Sequence, residues 1–294
     1  MRVNPDMSPD VLAAVWKTQS DEETALQQLS TGKRVNVPSD DPLAAAQIIG
    51  NHDQSRRADQ YLQNIDTLTN QLQTADTAMG SMVVALNQAI VLGVQGSTGT
   101  VSDANRQQIV QNLQGIQAQL VLLANTSVGG NYLFGGTETT AAPFTNNPSG
   151  VTYNGNDGTN TVQIADGLEL QTNLPGSQLF QNGGADVFGS LQQLISALQT
   201  GDVAAAKTAT SQVRGAFDFV TQQRIFYGNA VNQLNSTETF LNQEQVNLKS
   251  QQNNLIGADI TKAATDLTRA QTAHDAALAA AAKILPTSLL DYLK

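Results

Sequence analysis

Apolar residues recur at alternating spacings of four and three along several stretches of this chain, the mark of helices that bury one stripe against a neighbour. The cleanest stripe is Tyr61, Ile65, Leu68, Leu72, Ala75, Met79, Met82, Leu86 and Ala89. Its helix is expected to start at Asp41-Pro42, since a residue before proline leaves the helical region as an N-cap must, and proline suits the first turn. Residues 93–100, rich in Gly, Ser and Thr, are expected to break it. A third helix follows Ser102, with Ile109, Leu113, Ile116, Leu120 and Leu123 in register. From about Asp186 helix resumes, with Val213, Phe217, Val220, Tyr227, Val231, Leu234, Leu241 and Leu248 in its stripe.

The chain ends carry weaker stripes. Residues 9–30 read as a helix capped by Ser8, with Pro9 in its first turn and Leu12, Val15, Leu26 and Leu29 in a stripe broken by Gln19 and Glu22. Gly32 ends it, and residues 33–39 read as an extended connector. At the other end the stripe is Ile260, Ala264, Leu267, Leu278, Ala281 and Leu285, interrupted at Gln271 and His274. Leu289, Leu290 and Leu293 continue the apolar positions toward the C-terminus. Small and polar members bury little surface, while a fully buried Leu contributes about 1.5–3 kcal/mol. Both terminal helices are therefore expected to be disordered in a lone copy and to order on assembly.

Between residues 129 and 184 the composition shifts to Gly, Asn, Thr and Pro, with short alternating runs at Val151-Thr152-Tyr153 and Thr161-Val162-Gln163-Ile164. Asn154-Gly155 and Asp157-Gly158 read as hairpin turns. The fold class is thus mainly α with a small β-rich insertion, an elongated antiparallel helical rod or coiled coil built from both chain ends. Its expected parts are terminal assembly helices (1–40 and 256–294), a central helical bundle (41–128 and 185–255) and a β-rich outer insertion (129–184).

Charge narrows the partners. With 25 acidic and 15 basic residues the formal net charge is −10, which disfavours nucleic-acid backbones and anionic membrane surfaces. Only 14% of residues are charged, so Gln, Asn, Thr and Ser supply polar faces that can pack without burying ions. The chain has no cysteine, which excludes disulfides and thiol catalysis. The apolar stretch 11–16, closed by Lys17, is too short for a secretory signal core, and no run is expected to reach the length of a membrane span. Export, if it occurs, is expected to need no cleaved signal.

Candidate chemistry is sparse. Asp40-Asp41 reads as a helix cap at Asp41 rather than a carboxylate pair. The stretch 154–158 lacks the spaced acidic ligands and closing Glu of a calcium loop, so it reads as a turn. His52 and His274 stand alone, without a metal-ligand pattern. No nucleophile elbow or phosphate-binding glycine pattern is present. No catalytic residue, cofactor site or metal site is expected.

The segment Leu29-Ser30-Thr31-Gly32-Lys33-Arg34-Val35-Asn36, followed by Pro38-Ser39-Asp40-Asp41-Pro42, resembles the N-terminal signature of the flagellin superfamily. The Ala-rich stretch from Ala270-Gln271 to Ser288-Leu289-Leu290-Asp291-Tyr292-Leu293 is similar to its C-terminal signature. Within that superfamily, Tyr132-Leu133-Phe134-Gly135-Gly136-Thr137, Pro143-Phe144 and Val151 to Gly155 resemble the hook-associated protein 3 family. The resemblance implies a non-enzymatic flagellar building block at the hook–filament junction, exported without a cleaved signal into an extracellular flagellum. The partners it implies are a homo-oligomeric ring, hook-associated protein 1, flagellin and an export chaperone, with no nucleic acid and no membrane. An assembly interface is expected at Leu12, Val15, Leu26, Leu29, Leu267, Leu278, Ala281, Leu285, Leu289, Leu290 and Leu293. A minor flagellin, or a secreted glycan-binding or hydrolytic protein with its site in the β insertion, is the alternative reading.

Overall fold

The computed structural model describes residues 8–147, 150–182 and 185–292, without the side chains of residues 8 and 284–292. The order is α1 (Ser8–Thr31), α2 (Pro42–Gly96), α3 (Asp103–Ala124), six short strands, α4 (Gly176–Phe180), α5 (Val187–Thr200), α6 (Val203–Ile256) and α7 (Ile260–Tyr292). The fold is mainly helical with a small β-rich insertion. It divides into two compact units, one of residues 1–57 with 243–294 and one of residues 58–242. The long helices α2 and α6 contribute to both.

In the unit of residues 58–242 the core forms from the stripes. Ile65, Leu72, Met79, Met82 and Leu86 of α2, Leu113 and Leu120 of α3, and Val213, Val220 and Leu234 of α6 are fully buried. Here α2 and α6 run antiparallel, since Gly93 meets Thr210 while Asp76 meets Arg224. Arg224 Nε and Nη2 each donate to an Asp76 carboxylate oxygen at 2.9 Å, a bidentate pair about one-third exposed. The residues that were expected to break α2 do not all do so. The helix continues to Gly96, and a Cβ at Gly93 or Gly96 would lie 2.6 Å from Thr210 or 2.7 Å from Leu198, so these glycines admit close neighbours instead. The same helix holds an 18-residue window of mean hydropathy 1.6, a run of membrane-span length that the sequence reading passed over. Met79, Met82, Leu86 and Ala89 of this helix are sunk in the bundle, while Val84, Val91 and Val94 are 59%, 61% and 50% exposed.

The strands form three antiparallel pairs: β1 (Ser127–Val128) with β2 (Asn131–Tyr132), β3 (Phe144–Asn147) with β4 (Gly150–Tyr153), and β5 (Thr161–Ala165) with β6 (Leu168–Gln171). The two dipeptides expected to turn hairpins lie between β4 and β5 instead. Tight turns are at Gly129-Gly130, with φ 60° and 85° between paired Val128 and Asn131, and at Asp166-Gly167, where Gly167 has φ 71° between paired Ala165 and Leu168. Gly155 and Gly158 have no such φ and are small for a different reason. A Cβ there would approach Tyr153 Oη at 2.5 Å and Thr137 Cγ2 at 2.5 Å. Asn156 between them accepts from the Thr137 and Gly158 N–H groups, which folds the loop inward. Beneath lies an aromatic cluster of Phe134, Phe144, Phe180 and Phe188, with neighbouring ring centroids 5.3–6.3 Å apart.

Candidate assembly interface

The unit of residues 1–57 and 243–294 holds both end helices, α1 and α7. Helices α1 and α7 pair antiparallel, Thr18 lying against His274 and Gly32 against Ala258. The inward positions of α1 are Val11, Val15, Thr18, Glu22, Ala25 and Leu29; those of α7 are Ala263, Leu267, Ala270, His274, Ala277 and Ala281. Both sets step by four and three. Ala25, Ala263, Ala270 and Ala281 are the buried members, so small residues let the backbones approach while burying little area. Thr18 Oγ1 donates to Val15 O at 2.9 Å and lies within hydrogen-bond distance of His274 Nδ1 at 3.2 Å.

Of the residues expected at an interface, Val15, Leu29, Leu267 and Ala281 face this pairing within the chain. Leu12, Leu26 and Leu278 face away from it, 42%, 55% and 46% exposed. Trp16 and Ile260, 69% and 49% exposed, lie with them. At 100° per residue Leu12, Trp16 and Leu26 share an arc of about 80°, and Ile260, Ala264 and Leu278 one of about 40°. Each end helix therefore carries two adjacent apolar stripes, one covered by the other helix and one open to solvent. Trp16 was not assigned to the interface from the sequence; its signal was the Leu12–Trp16 spacing of four. Leu293 lies outside the described residues, as do the side chains of Leu285, Leu289 and Leu290.

Just beyond the helix ends the two arms are tied by backbone. Lys33 and Gly257 form an antiparallel bridge, the Arg34 N–H donates to Ile256 O at 2.6 Å, and the Ala258 N–H donates to Gly32 O at 2.9 Å. The Arg34 guanidinium donates to Leu255 O at 3.0 Å and to Asp41 Oδ2 at 3.1 Å. Asp41 Oδ1 accepts from the Ala44 N–H at 3.0 Å, capping α2. Asp40 also has a partner set: its Oδ2 accepts from the Asn36 and Val37 N–H groups at 2.9 and 3.0 Å. The Val37 and Asn36 N–H groups hold the Asp40 carboxyl below its ordinary pKa, and the Ala44 N–H with Arg34 does the same for Asp41. The segment read as an extended connector is thus a hydrogen-bonded clasp. His52, on the first part of α2, meets Gln252 of α6 at 2.8 Å in the same unit.

The chain resembles known proteins in sequence and in fold. The bacterial flagellin N-terminal helical region matches residues 7–139, and the flagellin C-terminal helical region matches residues 210–293. Flagellar hook-associated protein 3 of Salmonella typhimurium is 31% identical over 184 residues, covering 62% of this chain and 57% of that protein. Flagellin of Listeria innocua is 26% identical over 237 residues, 80% of this chain and 78% of the relative. Among solved structures, Bacillus cereus FlgL superposes with a TM-score of 0.61 at 25% identity, over 69% of this chain and 99% of that one. The chain thus spans little more than half the length of the Salmonella relative.

Proposed function

Because this chain belongs to the flagellin superfamily and groups there with hook-associated protein 3, we propose that it is a structural subunit of the bacterial flagellum at the junction between hook and filament. In this reading copies form a ring on hook-associated protein 1 and present a surface on which flagellin polymerises. An export chaperone holds the C-terminal helix beforehand, and the chain leaves the cell without a cleaved signal. The observation that carries the proposal is the open apolar stripe on the end helices, Leu12, Trp16 and Leu26 on α1 with Ile260 and Leu278 on α7. Exposed apolar surface of this kind, on helices whose buried mutual contact rests on four alanines, favours further association.

A second reading, a minor filament subunit, is favoured by the flagellin alignment, which spans more of this chain than the hook-associated one does (80% against 62%). Electron microscopy of a strain lacking the gene separates the two. Hooks without filaments, with flagellin shed into the medium, support the junction role; normal filament numbers support the filament subunit.

A further inference from the structure

The α1–α7 pair has two unlike faces. At 100° per residue the open stripe of Leu12, Trp16 and Leu26 lies about 100° around α1 from the inward stripe, and that of Ile260, Ala264 and Leu278 lies about 80° around α7 in the same sense. In an antiparallel pair the same sense of rotation leads both stripes to one side, so they form a single apolar face across two helices. Glu23 and Asp275, both exposed, lie on the same arcs, and no Lys or Arg among the described residues shares them.

The opposite face is a groove. Ala25 of α1 with Ala270 and Ala273 of α7 line a cavity of about 360 Å³, edged by Asp21, Asp266 and Arg269. These positions lie roughly 70–90° from the inward stripes in the other sense, and a cavity drawn from both helices places them on one side. The Arg269 side chain is 78% exposed and meets Asp266 only at 3.8 Å. Lys17, one turn from Asp21 on the same edge, has a side chain 76% exposed and 3.4 Å from that carboxylate. Exposed pairs of this kind hold weakly, so both cations are available to other carboxylates. The alanines leave room for large side chains, and the apolar face offers Trp16, 69% exposed.

We propose that the apolar face of one copy seats in the alanine groove of the next, Trp16 and the neighbouring leucines entering the groove while Glu23 and Asp275 meet Lys17 and Arg269. The inference rests on the assembly reading above and names the surface that receives the open stripe. Charge selects this arrangement over the symmetric one. Apolar face against apolar face brings Glu23 and Asp275 of two copies together with no cation between them, whereas face into groove pairs opposite signs. Unlike surfaces joined head to tail generate a ring where the rotation closes and a helical array where it does not, so a single contact propagates through every copy.

The chain has no cysteine, so single introduced thiols report contacts without background. Gln19→Cys, on the apolar face, and Ala273→Cys, on the groove, are both exposed positions. Each full-length variant is treated with a short bismaleimide alone and as a mixture, and flagella isolated from a gene-deleted strain expressing both are treated likewise. A covalent dimer is expected in the mixture and in the flagella, and with neither variant alone. Lys17→Glu with Arg269→Glu in the groove copy should lower its yield roughly tenfold, and Glu23→Lys with Asp275→Lys in the face copy should restore it. All four side chains are exposed, so melting of these variants should match the parent. Dimers from Gln19→Cys alone mean the symmetric contact and overturn the proposal, as does a dimer yield that ignores the charge changes or no dimer in either setting. Cross-links along filaments rather than at hook ends would displace the junction reading and leave this contact standing. If the chain is absent from isolated flagella, the flagellar reading falls and the purified mixture alone decides.

Discussion

Replacing Leu278 by Asp separates folding from assembly. The side chain is 46% exposed, so about half of the ~1.5–3 kcal/mol that full burial of a leucine contributes is already missing in the single chain. Removing the remainder costs about 1 kcal/mol, and the poorer helix propensity of Asp adds about 0.7 kcal/mol at most. A loss of about 1–2 kcal/mol should leave the unit of residues 58–242 untouched, since Leu278 belongs to the other unit. In an assembly that covers the open stripe, the same change buries an unpaired carboxylate, a penalty of about 3–5 kcal/mol. At about 1.4 kcal/mol per factor of ten, each contact weakens by roughly a hundred- to several-thousandfold. Circular dichroism melting of the purified variant should stay close to the parent. The gene-deleted strain carrying the variant should show hooks without filaments by electron microscopy. Filaments in normal number, with the variant present at their base, would refute the argument that this stripe is an interface.

Three further outcomes follow from other parts of the molecule. Arg224→Lys and Asp76→Asn should each lower stability by about 1 kcal/mol, a partly exposed pair being screened by solvent, and a double-mutant cycle showing no coupling would contradict the pairing. Asp40 and Asp41 have folded-state pKa values lowered by N–H donors and Arg34, so their contribution is present above the ordinary Asp value of about 3.9 and lost as pH falls through the lower folded values. Carboxyl titration by NMR should give midpoints below that value for both, with the clasp amides of Asn36 and Val37 losing protection in the same acid range; ordinary midpoints would remove the argument. Gly176→Ala should destabilise the β insertion by about 1–3 kcal/mol, because the new Cβ would lie 2.6 Å from Phe144 Cζ and 2.8 Å from Phe134 O, and an unchanged melt would show that the aromatic cluster yields freely.

Much of the fold was legible because helical periodicity is local. Ile65 to Ala89, Ile109 to Leu120 and Val213 to Leu248 mark buried stripes whose spacing needs no knowledge of the partner. Ser102 and Asp186 cap α3 and α5 through bonds to residues three positions on, again a local matter. Where the reading of turns failed, at Asn154-Gly155 and Asp157-Gly158, a local rule met a distant cause. Those glycines are small because Tyr153 and Thr137 crowd them, and Gly93 and Gly96 because Leu198 and Thr210 do.

The candidate interface shows the same division. The sequence by itself determined that both chain ends form amphipathic helices, that small residues populate their stripes, and that Asp41-Pro42 begins a helix. Only the tertiary structure decided which stripe on each end helix meets the other and which stays open, since positions one residue apart lie about 100° apart around a helix axis and both stripes are apolar. It also decided the partners of Arg34, which bonds Leu255 more than two hundred residues away, and of Asp76, which bonds Arg224. A hydrophobic pattern records what a segment must bury, whereas the identity of the neighbour is fixed only when separated segments compete for the same contact.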